Sequence, residues 1–171
     1  MEKVTINKSI NLSEHFTLGE VTKSRYAEIY NIPSHVAIEN LKRVCEWLEE
    51  LRERYNRNYV LVQTTPTPPN SGGEIDTEEP IVINSGYRSP ELNKKVGGSP
   101  TSNHLTGCAV DIRVAGIEQA MRYAVILMDY ADETKQDYDE LLIERNRSGG
   151  YWLHFAVRPK DNRRKTMFIQ K

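Results

Sequence analysis

Apolar residues at Ile38, Leu41, Val44, Cys45, Leu48, Leu51 and Tyr55 recur at three- and four-residue steps, which predicts a long helix with one buried face. Glu39, Lys42, Arg43, Glu46, Glu49, Glu50 and Arg52 fill the positions between them and read as its solvated face. Pro33 and Ser34 mark its start. Upstream, Thr17-Leu18-Gly19-Glu20 has the T-x-x-E form of a capping box, so a shorter helix is predicted from about Leu18 toward Tyr30. Ile117, Ala120, Met121, Ala124, Val125 and Met128 predict a further helix, and Pro90 to Val96 a helical turn. Strands are predicted at Tyr59–Val62, Ile81–Asn84, Ala109–Val114, Leu141–Glu144 and Trp152–Val157, the last two joined as a hairpin through Arg145–Gly150. Residues 64–80, rich in Pro, Gly, Ser and acids, read as a mobile insertion between two strands of one sheet. The pattern as a whole predicts an α+β fold: N-terminal helices on a small, mostly antiparallel sheet, in one domain spanning 1–171.

Composition narrows the partners. With 23 Lys and Arg against 24 Asp and Glu, the chain has no basic surplus with which to grip a phosphate backbone, so nucleic acid is not an expected partner. No run approaches the roughly 18–20 apolar residues of a membrane span, and no membrane is expected. The opening MEKVTINKSINLSEHF lacks the apolar core of a signal peptide, so the chain is expected to be cytoplasmic as synthesised. Near-neutrality makes a monomer the default. Cys45 falls on the buried stripe of the long helix and reads as a free core thiol. Cys108 has no second cysteine near it to form a metal pair.

Four histidines are present, and two stand in chemically suggestive places. His15 and His35 lie in the N-terminal segment and at the first turn of the long helix, where surface or capping roles suffice. His104 sits in a loop of small, turn-forming residues, and seven positions later Asp111 interrupts an apolar strand. Side chains alternate along a strand. Val110, Ile112 and Val114 therefore take the core side, and Asp111 and Arg113 the other. In the last predicted strand Leu153, Phe155 and Val157 form one face, and Trp152, His154 and Ala156 the opposite one. Two His and one carboxylate suffice for a catalytic zinc with its fourth position open. The same residues would equally serve as an Asp–Arg pair and a satisfied interior histidine.

The segments Ile83-Asn84-Ser85-Gly86-Tyr87-Arg88-Ser89, Ser102-x-His104-x-x-Gly107-x-Ala109-x-Asp111 and Trp152-Leu153-His154 together resemble the zinc D-Ala-D-Ala carboxypeptidase family. That family shares its metal site with lysostaphin-type endopeptidases and the hedgehog signalling domain. The match is to the branch acting on peptidoglycan, phage endolysins included. LSEHFTLGEVTKS and the helix ending in ELRERY extend it toward the N-terminus. The resemblance implies Zn2+ held by His104, Asp111 and His154, Arg88 gripping a substrate carboxylate with its planar fork, and Ser102 hydrogen-bonding the substrate or bracing its loop. The alternative for Arg88 is a structural ion-pair partner.

Well-known relatives carry the catalytic base as a Glu three residues before the last ligand; here that position is Tyr151. The base is instead expected to be Glu144, at the end of a strand whose Leu141 and Ile143 take the other face. Glu140 and Asp139 lie at the strand's entrance and are weaker candidates. The resemblance implies a metallopeptidase releasing a terminal D-Ala from peptidoglycan stem peptides. An endopeptidase of the endolysin type, or a non-catalytic zinc-containing cell-wall-binding module, would use the same motifs. The chain would reach the wall by export or by release as a phage-type lysin does.

Overall fold

A computed structural model describes residues 7–60 and 78–171. The long amphipathic helix forms as predicted: α2 spans His35–Tyr55, with the Ser34 hydroxyl accepting the Ala37 N–H at its start. Helix α1 is shorter than its pattern predicts, Leu18–Thr22 in place of a run toward Tyr30. Its capping box forms, Thr17 and Glu20 bonding reciprocally. It then stops because the Asn31 side-chain amide takes the Thr22 carbonyl, and Lys23 is already extended. Helices α3 (Pro90–Lys95) and α4 (Ile117–Thr134) agree with the sequence pattern.

Among the described residues five strands form one sheet: β1 (Ile83–Ser85), β2 (Ala109–Arg113), β3 (Glu140–Arg145), β4 (Tyr151–Ala156) and β5 (Lys165–Gln170). Their spatial order is β1-β2-β4-β3-β5, antiparallel except for the parallel β3–β5 edge. The fold is α+β, as the periodicities indicate. One further prediction does not hold, and one strand is new. Tyr59 and Val60 continue the long helix as a π-helical turn, Asn56–Val60, instead of opening a strand. The Asn56 side chain, bonded to Arg52 and Glu79, stitches that turn down. β5 has no counterpart in the predicted elements. Leu61 and Val62, and the 64–80 insertion up to Thr77, lie outside the described residues.

Helices α2 and α4 cover one face of the sheet. Trp47 of α2 meets Phe155 of β4 at 5.4 Å between ring centroids and Tyr130 of α4 edge-on at 4.8 Å. Leu41, Leu48, Leu51, Ile112, Leu141 and Leu153 are fully buried with them, each contributing roughly 1.5–3 kcal/mol by leaving water. Among the described residues neither α2 nor α4 covers the opposite face of β2, β3 and β4. The alternation of these strands therefore decides which side chains reach the open face.

Candidate metal centre

His104 is carried by a single 3-10 turn, Asn103–Thr106, whose first N–H groups are capped by the Ser102 hydroxyl at 3.3 Å from His104 N. Gly107 ends the turn at φ +73, and a Cβ there would stand 2.4 Å from the Ala37 carbonyl oxygen. Glycine is thus required twice over, by the left-handed backbone and by contact with α2. Asn40 of α2 secures the same turn through the Thr106 carbonyl at 2.9 Å. Gly86 has the same function on the other side, since a Cβ would come within 2.2 Å of the Val21 carbonyl oxygen. The Gly86 carbonyl then accepts the His104 Nδ1 proton at 2.7 Å. A carbonyl only accepts, so Nδ1 carries hydrogen and Nε2 is the nitrogen left to bind.

His104 Nε2 faces Asp111 Oδ1 at 3.3 Å, and His154 Nδ1 faces the same oxygen at 2.9 Å. Asp111 and His154 are directly opposite one another in the β2–β4 register, which fixes this approach. One ligand atom from each residue lies within 4.8 Å of the others, a grouping that could hold a metal ion. Two imidazole nitrogens and a carboxylate fit zinc, and each imidazole has its distal nitrogen tied down, as metal-binding histidines do. Burial alone would push the Asp111 carboxyl up. The two histidines beside it outweigh burial and hold it well below the usual carboxylate range. Burial works against a charged His154, yet Asp111 and Glu140 on its two sides raise it to about 9.

Arg88 also converges here. Its NH2 lies 2.5 Å from Asp111 Oδ2 and its Nε donates to Ser85 Oγ at 2.9 Å. The guanidinium expected to hold substrate is thus an ion-pair partner of a candidate ligand, at the wall of the same cleft. Ser102 braces its turn through the His104 N–H and also lines that cleft, which encloses about 640 Å³.

Three acidic candidates for a base separate cleanly. Asp139 is fully buried, accepting from Arg163 and Asn103 and ion-paired with Arg158, with nothing left for a reacting group. Glu140 is engaged by His154 at 3.5 Å, by Asn103 at 3.1 Å and by Arg163 at 3.0 Å. The His154 contact, with Arg163 and Lys165 nearby, draws its carboxyl down to about 2 against burial, leaving a feeble proton acceptor. Glu144 shares the open face, stands opposite Trp152 in the register, and lines the cleft. Its Oε2 meets the Lys171 ammonium as an ion pair, without the alignment of a hydrogen bond. Tyr151 occupies the opposite face of β4 and packs against the core beside Phe168. A side chain three residues before His154 cannot reach the cleft from this strand, which accounts for the absence of a Glu there.

His15 bonds Glu49 and His35 begins α2, both outside the cluster. Cys108 is buried beside the Thr106 carbonyl and Cys45 lies in the core, where burial pushes its thiol up to about 12. The strand alternation missed nothing on this face except emphasis: Glu140, Leu142 and Glu144 follow one another at period two. The contribution of Asn103 and Arg163, which clamp Glu140, leaves no local signal in the sequence.

Residues 74–136 match the family model described as Peptidase M15. Over this stretch the chain is similar to the peptidase M15 family. The matched stretch holds Arg88, Ser102, His104 and Asp111, while His154 and both open-face glutamates come from beyond it. The match supports a metallopeptidase acting on peptidoglycan at the level of that family. No curated protein matches the chain. Among the described residues no helix is long and apolar enough to cross a membrane.

Proposed function

We propose that this protein hydrolyses peptide bonds of peptidoglycan stem peptides, most simply as a D-Ala-D-Ala carboxypeptidase, with zinc held by His104, Asp111 and His154. The observation that carries this reading is the meeting of His104 Nε2 and His154 Nδ1 on one oxygen of Asp111. Zinc, when bound, supplies Lewis-acid activation of water and of the scissile carbonyl. Glu144 accepts the proton of the attacking water and delivers it to the leaving amine, because it is the glutamate of the open face not already consumed by three partners. Arg88 and Ser102 position the substrate at the cleft wall.

Stem peptides ending in D-Ala-D-Ala test the reading directly. Hydrolysis should vanish with chelator and return with zinc, and free D-Ala should be the first product. Release of internal fragments from cross-linked sacculi without free D-Ala would make the enzyme an endopeptidase. Zinc retained at about one per chain with no cleavage of either substrate would leave a cell-wall-binding module.

A further inference from the structure

Behind Arg88 lies a second pocket of about 250 Å³, bordered by Lys23, Ser24, Arg25 and Tyr26 of the loop after α1, by Ser85 of β1, and by Leu92 of α3. Arg88 and Val96 line both this pocket and the main cleft, so the two are contiguous. The electrostatics of the annex are one-sided. Arg52, Arg54, Arg57, Arg158, Arg163 and Arg164 all meet carboxylates, yet among the described residues neither Lys23 nor Arg25 does. Arg25 instead donates to the Tyr26 hydroxyl at 2.8 Å and lies 4.9 Å from that ring's centroid. Lys95 approaches the same ring at 5.5 Å, likewise without a carboxylate. Two cations thus lie over one aromatic ring and Lys23 borders the same pocket, none of the three with a carboxylate partner among the described residues.

Two serine hydroxyls on the annex can donate, while the Asn84 oxygen that also borders it is taken by Arg113 Nε at 3.3 Å. Ser24 Oγ accepts the Tyr26 N–H at 3.1 Å and Ser85 Oγ accepts Arg88 Nε at 2.9 Å, which leaves each hydroxyl proton free to point at a ligand. Arg88 meanwhile has committed NH2 to Asp111, so a substrate anion cannot take that nitrogen without breaking the ion pair. The uncommitted positive charge next to the metal centre belongs to Lys23 and Arg25.

We infer that the Lys23–Arg25–Tyr26 pocket is a carboxylate subsite of the cleft, selecting peptides that carry an anionic group close to the scissile bond. The inference rests on the peptidase reading for its substrate class. Two sources offer this chemistry, the C-terminal carboxylate of the peptide and an acidic side chain, and both are carboxylates to the pocket.

Calorimetry and initial rates on zinc-loaded wild type and the Lys23→Ala/Arg25→Ala variant distinguish them. The probes are short peptides ending in D-Ala-D-Ala and carrying one Glu, their C-terminal amides, and the same peptides with Gln for Glu. Wild type should bind the fully anionic peptide at least about tenfold more tightly than one of the two neutralised forms, the scale of a charge-assisted hydrogen bond. Which neutralisation matters names the source. The double variant should keep its zinc, bind the neutralised peptide as wild type does, and lose the discrimination. Equal binding of charged and neutral peptides by wild type, discrimination surviving in the variant, or no binding of any peptide overturns the subsite. Discrimination without hydrolysis removes the peptidase reading and leaves the pocket; hydrolysis without discrimination does the reverse.

Discussion

Glu140 Oε2 stands 3.5 Å from His154 Nε2, on the side of the imidazole away from Asp111. The ring is therefore held between two carboxylates, Asp111 in the candidate ligand cluster and Glu140 behind it. The rear carboxylate is itself fixed by Asn103, Arg163 and Lys165. Such a partner sets which nitrogen carries hydrogen and how the ring is turned.

Glu140→Ala should accordingly weaken zinc affinity by about 10–100-fold without removing a ligand. Competition against a chromogenic chelator measures it. Unchanged affinity would reduce Glu140 to a surface ion pair.

Glu144 and Glu140 flank His154 diagonally on the β3–β4 ladder, and their exchange as candidates is testable by pairing conservative variants. Glu144→Gln should lower kcat by about 10²–10⁴ while zinc stays at one per chain. Glu140→Gln keeps an acceptor for the His154 N–H and should retain most of its kcat. The reverse ranking would make Glu140 the base.

The open face was legible because it depends on period two alone. Asp111 against Val110 and Ile112, and His154 against Leu153 and Phe155, separate by alternation before any fold is known. The choice of Glu144 followed from the same rule. Contacts between distant segments were not legible. Asn31 ending α1, Asn56 gripping Glu79 and Asp139 gathering two arginines from the loop before β5 depend on tertiary neighbours. β5 itself exposes Met167 and Phe168 and buries little, so its hydrophobic pattern is faint. It forms by pairing with β3, whose partner no local pattern names.

Gly107 connects the family motif to the fold. Gly107→Ala must accept φ +73 and push against the Ala37 carbonyl, displacing the His104 turn from α2. A loss of roughly 2–3 kcal/mol in stability is expected, together with weaker zinc binding. Urea unfolding of the metal-free protein isolates the first effect. A variant as stable as wild type would mean that α2 yields at no cost.

Asp139 sets an acid limit to the fold. Its carboxylate is completely buried, accepts from Arg163 at 2.7 and 2.8 Å and from Asn103 at 2.7 Å, and forms an ion pair with Arg158 at 2.8 Å. Burial favours the neutral acid, but the Arg163 and Asn103 bonds prevail and draw its pKa down to about 2. The unfolded chain titrates near 3.9, above the folded value, so the unfolded state takes up the proton first as pH falls. The stabilisation is complete above about pH 4 and is lost as pH drops toward 2; it amounts to on the order of 2 kcal/mol. Because Asn103 opens the His104 turn, acid should loosen the metal centre along with the fold. Asp139→Asn cannot titrate. The stability gap between wild type and this variant, read from urea unfolding between pH 6 and 2, should be constant down to about 4 and then narrow. A gap that holds its size to pH 2 would place the acid sensitivity elsewhere.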